Sequence, residues 1–341
     1  MNTQTHPCDG AHDNPWLIVV RSALLTALLL SCNAYAAKLG EPTIFTGTCD
    51  ASAALGLSRD LFVVANDEDN VLRFYRFSRP GSPVQSFDLR PFLTDKRKAP
   101  EIDLEGTARL REKVFFITSH GRNSSGNIAP ARHKLFALSL AETNGFTHVR
   151  DIGQTYTNLI ADLSRDPHYR PFDFAEAASV APKAPGGFNI EALAATPEGA
   201  LLIGFRSPIP RGRALIATLR NPDAVIAGQP PEFAPPLLLD LGGLGLRDIC
   251  ATTNGYHLLA GPDDGEAETR LYFWAGDTAT PRLISDIRFT RNNPEGICYL
   301  DFGDGSDLLV LSDDGARKID GTECKKLPET QRQFRAYRLT P

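Results

Sequence analysis

The chain has 341 residues, enough for two average domains or one large repetitive one. Hydrophobic residues make up 42% and charged residues 23%, which excludes disorder, collagen and coiled coil. A formal charge of −5 with no long Lys/Arg stripe argues against a nucleic-acid partner, and 28 Gly and 25 Pro against one Met read as short strands joined by turns.

The first segment, residues 1–36, reads as a signal peptide. Its core, Ser22 to Leu30, has the length of an h-region and is too short to span a bilayer, and Ala34-Tyr35-Ala36 supplies a small-x-small cleavage pattern. The rival is a lipoprotein box, Leu29-Leu30-Ser31-Cys32, with Cys32 lipidated. Either way the expected location is periplasmic or secreted, with no transmembrane segment after cleavage. Export permits disulfides. Cys49, Cys250, Cys298 and Cys324 allow three full pairings, Cys49–Cys324 among them, and none has zinc-site spacing. Cys250 and Cys298 also read as small buried hydrophobes within apolar strands.

From residue 38 to 341 the chain reads as one domain built on an internal repeat. Four strand-like segments end in Asp followed by Leu or Ile, at Asp88, Asp151, Asp240 and Asp286. After each comes a loop and then an acid opening a new apolar stretch: Glu105, Glu191, Asp248 and Glu295, with Asp50 starting the series. The first unit gives strands at 51–57, 61–65, 71–77 and 84–89, the second at 107–110, 114–118, 134–140 and 146–152. Residues 153–189 read as an insertion with short helices capped near Asn158 and Asp173. The third unit follows at 192–196, 201–205, 214–219 and 236–241, and the fourth at 249–252, 256–260, 270–274 and 282–287. The last has only 297–300, 308–311 and 334–339, and Thr43 to Thr46 supplies the missing strand. An all-β, five-bladed β-propeller closed by an N-terminal strand accounts for this pattern and leaves no long edge unpaired. A sixth blade would have to lie within 153–189.

In an antiparallel blade the innermost strand begins on the face where the second strand ends. The opening acids and the polar tails Asn66-Asp67, Ser119-His120, Arg206-Ser207, Pro262-Asp263 and Ser312-Asp313 should therefore share one face, as should the insertion. Two carboxylates about 6 Å apart repel by roughly 3 kcal/mol at an effective dielectric of ~20, so five fully ionised would cost on the order of 20 kcal/mol. Protonation, backbone N–H groups, Arg or a cation must offset this. The candidate ligands are Asp50, Glu105, Glu191, Asp248 and Glu295, and hard oxygen donors suit Ca²⁺ first and Mg²⁺ second. The same acids could instead bond backbone N–H groups of the next blade and fix blade spacing. His120 is a candidate acid/base and Arg206 a candidate clamp on an anionic transition state. Ser119, Asn189 and Arg247 are candidate substrate contacts, with Arg247 also placed to neutralise part of the ring. Asp67, Glu68 and Asp69 read as a solvated turn, lacking EF-hand spacing. No nucleophile elbow, His-Glu-x-x-His, phosphate loop or dinucleotide fingerprint occurs, so no organic cofactor is expected.

Asp103-Leu104-Glu105-Gly106, Thr118-Ser119-His120, Phe188 to Leu193, Gly204-Phe205-Arg206, Leu246-Arg247-Asp248-Ile249 and Pro294-Glu295-Gly296-Ile297 resemble the recurring motifs of a bacterial exported family, the domain of unknown function DUF3616. The acid-Gly openings are more loosely similar to the "esterase-like activity of phytase" propellers. Glu191 and Asp248 depart from that pattern, being followed by Ala and Ile. The closer resemblance implies a propeller and no particular reaction. The expectations are thus a monomeric propeller that hydrolyses an ester or phosphoester with a divalent cation, or a non-catalytic one that binds a protein, a glycan or a small molecule.

Overall fold

The computed structural model describes residues 38–93, 100–123, 125–182, 184, 186–263, 268–290, 292–301 and 306–340. The leader, its cleavage site at Ala36 and Cys32 lie outside the described residues. Five four-stranded antiparallel sheets form the five blades of a β-propeller. A blade is covered on both faces by its neighbours, so its second strand reads as continuously apolar rather than alternating. Leu61–Ala65 and Leu201–Ser207 are buried at every position for that reason.

The innermost strands, in blade order, are Ala53–Gly56, Leu104–Leu110, Asn189–Ala195, Gly245–Thr252 and Pro294–Asp301. Each packs against the innermost strands of both neighbouring blades, which closes the ring. Blade 5 is completed from the other end of the chain. Lys38–Thr46 pairs antiparallel with Gln333–Thr340, placing Phe45 opposite Phe334. Phe45 also meets Phe62 and Tyr75 of blade 1 with ring centroids 5.3 Å away, so one residue fastens the closing strand to both blades. A disulfide joins Cys49 to Cys324, while Cys250 is half-buried and Cys298 buried, both as free thiols.

The outer strand of blade 2 runs Phe146–Tyr156, through Gly153 at φ 72°, and so extends into the expected insertion. The two short helices follow at Leu159–Arg165 and Phe174–Ala177. Neither has the side-chain cap the sequence suggests; Asp173 sits in the left-handed region at φ 46°, linking a 3-10 turn to the second helix. What holds them is burial: Leu159, Leu163, Tyr169 and Phe174 enter the core shared by blades 2 and 3, beside Phe188 and Phe205. Among the described residues, no helix is long and apolar enough to cross a membrane.

Candidate functional site

Four of the innermost strands start three or four residues earlier than their apolar runs, because pairing continues through the polar residues. At that point each strand carries an irregularity in register. The ladder skips one residue between Leu104 and Gly106, Ile190 and Ala192, Leu246 and Asp248, and Pro294 and Gly296. A β-bulge leaves its extra residue unpaired and re-aims its side chain. The residues so placed are Glu105, Glu191, Arg247 and Glu295. In blade 4 the position equivalent to the glutamates is therefore held by Arg247, and Asp248 is one step beyond it.

That step changes the chemistry of both side chains. Arg247 Nη1 donates to Glu191 Oε2 at 3.1 Å and to Glu295 Oε1 at 2.6 Å, bridging blades 3 and 5. Asp248 instead accepts from the backbone N–H of Ile249 at 2.7 Å and of Ile297 at 2.8 Å. Its carboxylate ties blade 4 to the inner strand of blade 5, and burial raises its pKa well above normal despite the two amide bonds. Each oxygen thus accepts from a backbone N–H, the blade-spacing contact that the sequence offers as the alternative to metal binding.

The other expected residues divide in a similar way. Arg206 donates to Glu191 Oε1 at 2.9 Å and to the carbonyls of Pro262 and Asp263 at 3.1 and 3.3 Å, so it fixes Glu191 rather than facing outward with a free guanidinium. Asn189 donates to the same Oε1 at 2.7 Å, and its own Oδ1 is buried without a partner. Ser119 donates to Asp103 Oδ2. His120 is 1% exposed, with Nδ1 against Thr118 O at 2.8 Å and Nε2 lacking a partner. Burial pushes its pKa down to about 3, and the charges acting on it are His133 and Lys134 rather than the acids. The structure therefore does not bring His120 into the acid group. Asp50 precedes its blade's first strand by three residues and shares a hydrogen bond with Asp313. Burial, then that bond, pushes its pKa up to about 9.

Two residues that the sequence argument did not single out as ligands, Asp67 and Asp103, complete the site around the expected Glu105. Asp67, Asp103 and Glu105 each place a carboxylate oxygen within 4.8 Å of the others. The solvated turn expected of Asp67, Glu68 and Asp69 holds for Glu68, which is exposed; Asp69 is half-buried against Arg73, and the Oδ1 of Asp67 is buried and unpartnered. Asp103 Oδ2 also accepts from Arg132 Nη1 at 2.7 Å, leaving Oδ1 for other use. Glu105 makes no hydrogen bond or ion pair among the described residues. Burial, followed by the neighbouring carboxylates, raises the pKa of Asp67 and Glu105 well above normal; burial raises that of Asp103 to about 6 against the opposing pull of Arg132 and Ser119. Glu295 reaches about 7, with burial raising it and Arg247 lowering it.

The mouth is consequently polarised. On one side Glu191 and Glu295 are neutralised by Arg206 and Arg247. On the other, Asp67, Asp103 and Glu105 face one another with only Arg132 at their edge. At 4.8 Å two ionised carboxylates repel by about 3.5 kcal/mol at an effective dielectric of ~20. The three donors are all carboxylate oxygens, with no His or Cys among them, which fits a hard cation of the Ca²⁺ type and not zinc.

A family model described as "Protein of unknown function (DUF3616)" matches residues 142–323, more than half of the chain. No curated protein matches it. Among solved structures, Myxococcus xanthus glutaminyl cyclase is similar at 11% identity and a TM-score of 0.47, over 89% of this chain and 96% of that one. A gluconolactonase from Xanthomonas campestris is similar at 14% identity and a TM-score of 0.38, over 83% and 77%. The PQQ-bound form of aldose sugar dehydrogenase from Streptomyces coelicolor is similar at 12% identity and a TM-score of 0.41, over 89% and 98%.

Proposed function

The chain belongs to the DUF3616 family of proteins of unknown function, and from that premise we propose an exported, divalent-cation-dependent hydrolase of an ester or phosphoester, with its site at the channel mouth. The observation that carries this is the group of Asp67, Asp103 and Glu105, three buried or half-buried carboxylates within 4.8 Å and without enough positive charge to balance them. They would hold the cation, Ca²⁺ in first place and Mg²⁺ in second. When bound, it supplies Lewis-acid polarisation of the substrate oxygen and a more acidic water. The Cys49–Cys324 disulfide supports a location outside the reducing cytoplasm, periplasmic or secreted.

The remaining residues position and move the proton. Glu295 uses Oε1 to accept from Arg247 and Asn293, which leaves Oε2 uncommitted among the described residues. Its charge is also the largest acting on Asp67 after burial. In this reading Glu295 Oε2 takes a proton from the attacking water and returns it to the departing alkoxide. Arg247 holds Glu295 and Glu191 in place, and Arg206 and Asn189 hold Glu191. Arg206 and His120, expected as catalytic groups, become positioning and core residues respectively. The looser likeness of the acid-Gly openings to the esterase-like phytase propellers supports the same substrate class.

The test is turnover of p-nitrophenyl acetate, p-nitrophenyl phosphate and bis-p-nitrophenyl phosphate in EDTA, Ca²⁺ and Mg²⁺. Cation-dependent turnover should fall at least about 100-fold in Glu295→Gln, whose cation binding persists. Glu105→Gln should lose both. Absence of cation-dependent turnover on all three substrates refutes the hydrolase and leaves a non-catalytic ligand-binding propeller.

A further inference from the structure

A cavity of about 510 Å³ lies between the two insertion helices and the loop after the second strand of blade 2, a size that suits a small organic ligand. Its polar lining includes Arg122, Arg165, His133 and Asn158, and no Asp or Glu lines it. The apolar part includes Ile160 and Ile128, the latter 68% exposed at the rim, an unfavourable place for a large aliphatic side chain without a partner.

The walls are built in advance of any ligand. Arg122 donates from Nε to Ala178 O at 2.9 Å and from Nη1 to Gly126 O at 3.0 Å, which joins the blade 2 loop to the insertion. Its Nη2 has no partner among the described residues. Arg165 is steadied by Asp162 at 2.9 Å, itself held by Tyr156 OH at 2.7 Å. The helix beneath is anchored by Leu159 and Leu163, both 0% exposed. His133 follows Arg132, whose guanidinium pairs with Asp103, so one short segment connects this cavity to the acid group.

We propose that this cavity binds an amphipathic organic anion, a carboxylate or phosphate monoester carrying a short aliphatic group. The anionic head takes charge-assisted hydrogen bonds from the guanidinium groups of Arg122 and Arg165 that line the cavity, while the aliphatic part covers Ile128 and Ile160. The lining itself holds no acid among the described residues, and the carboxylate that pairs with Arg165, Asp162, is also held by Tyr156 OH. The assignment stands independently of the cation reading, since it requires neither turnover nor a metal.

The experiment is calorimetric titration of the full-length protein, in EDTA, with octanoate and octyl phosphate, against octan-1-ol and inorganic phosphate. Saturable one-to-one binding of either anion, at least about tenfold tighter than both controls, supports the assignment. Preference between the two anions identifies the head group. Arg165, with a side chain 76% exposed, can be changed without disturbing the core. Arg165→Gln should weaken binding roughly fivefold and Ala161→Trp, which fills the cavity from its exposed helix face, should abolish it. Both variants should melt within about 2 °C of the parent. No saturable binding of either anion, equal affinity for octan-1-ol, or undiminished binding in Ala161→Trp overturns the proposal.

Discussion

Calcium should stabilise the folded protein, and the effect should grow with pH. The three close carboxylates would repel by about 10 kcal/mol in total if all were ionised at 4.8 Å. Without a cation the protein avoids that cost by keeping protons on them: burial first, and nearby carboxylates after it, raise the pKa values of Asp67, Asp103 and Glu105. For a carboxyl whose folded pKa is raised, the unfolded chain releases its proton first. Stability is therefore complete below about pH 4 and declines as pH rises through the folded values. Those lie near 6 for Asp103, 7 for Glu295 and 9 for Asp50. In EDTA the protein should melt lower at pH 8 than at pH 5. A cation replaces these protons, so its benefit should be small at pH 5 and large at pH 8. At a concentration of about 100 Kd the gain is about 2.7 kcal/mol, equivalent to roughly 4 °C for a domain of this size. Differential scanning fluorimetry with EDTA, Ca²⁺ or Mg²⁺ at the two pH values measures it, and Glu105→Gln should remove most of the shift. If neither ion at 10 mM raises the melting temperature at pH 8, the cation site is refuted.

Three further outcomes follow from the contacts around the mouth. Asp248→Ala leaves the Ile249 and Ile297 amides without an acceptor and should cost about 2–5 kcal/mol in urea denaturation, with the calcium shift intact; loss of the shift would make Asp248 a ligand after all. Arg247→Met should destabilise by about 3–5 kcal/mol by stranding Glu191 and Glu295, and adding Glu191→Gln should recover part of that. Unchanged stability in the single variant would mean the bridge is not formed. Replacing Cys49 and Cys324 by Ser opens a covalent loop with a sequence separation of 275 and should cost up to about 5 kcal/mol, read from the denaturation midpoint.

The five blades and the closing strand were legible because apolar runs of strand length are a direct record of burial. Thr43 to Thr46 was identified as the spare strand and pairs with Gln333–Thr340. The ring positions were harder to read. Apolar pattern ends where the strands enter the polar mouth, so it cannot report a bulge, and a slip of one residue sends a side chain to the other face. In blade 4 the acid beside the apolar run reads as the repeat position in sequence, while register gives that position to Arg247. Asp67 escapes notice for a related reason: a short acidic run reads as solvated, and the burial of its Oδ1 comes only with the folded ring. Asp103 stands two residues before Glu105, but the contacts that hold it, from Ser119 and Arg132, come from 16 and 29 residues further along the chain.

The single arginine in the ring is what turns a repeated feature into one site. Four glutamates at the four bulges would repel one another nearly symmetrically, and a cation would have no preferred side. Arg247 breaks that symmetry by joining Glu191 to Glu295 across blade 4. Glu105, alone of the bulged glutamates, has no arginine, and it is the one that Asp67 and Asp103 approach. The close carboxylate group therefore lies on blades 1 and 2, on the side where Arg132 and His133 lead to the cavity under the insertion. Moving the arginine should move the site: Arg247→Glu with Glu105→Arg, which keeps the ring composition, should transfer cation affinity to the Glu191–Glu295 side and abolish it at Asp67. Europium luminescence with Asp67→Asn as reporter distinguishes the two arrangements. Binding that still depends on Asp67 in the exchanged ring would show that Arg247 does not set the polarity.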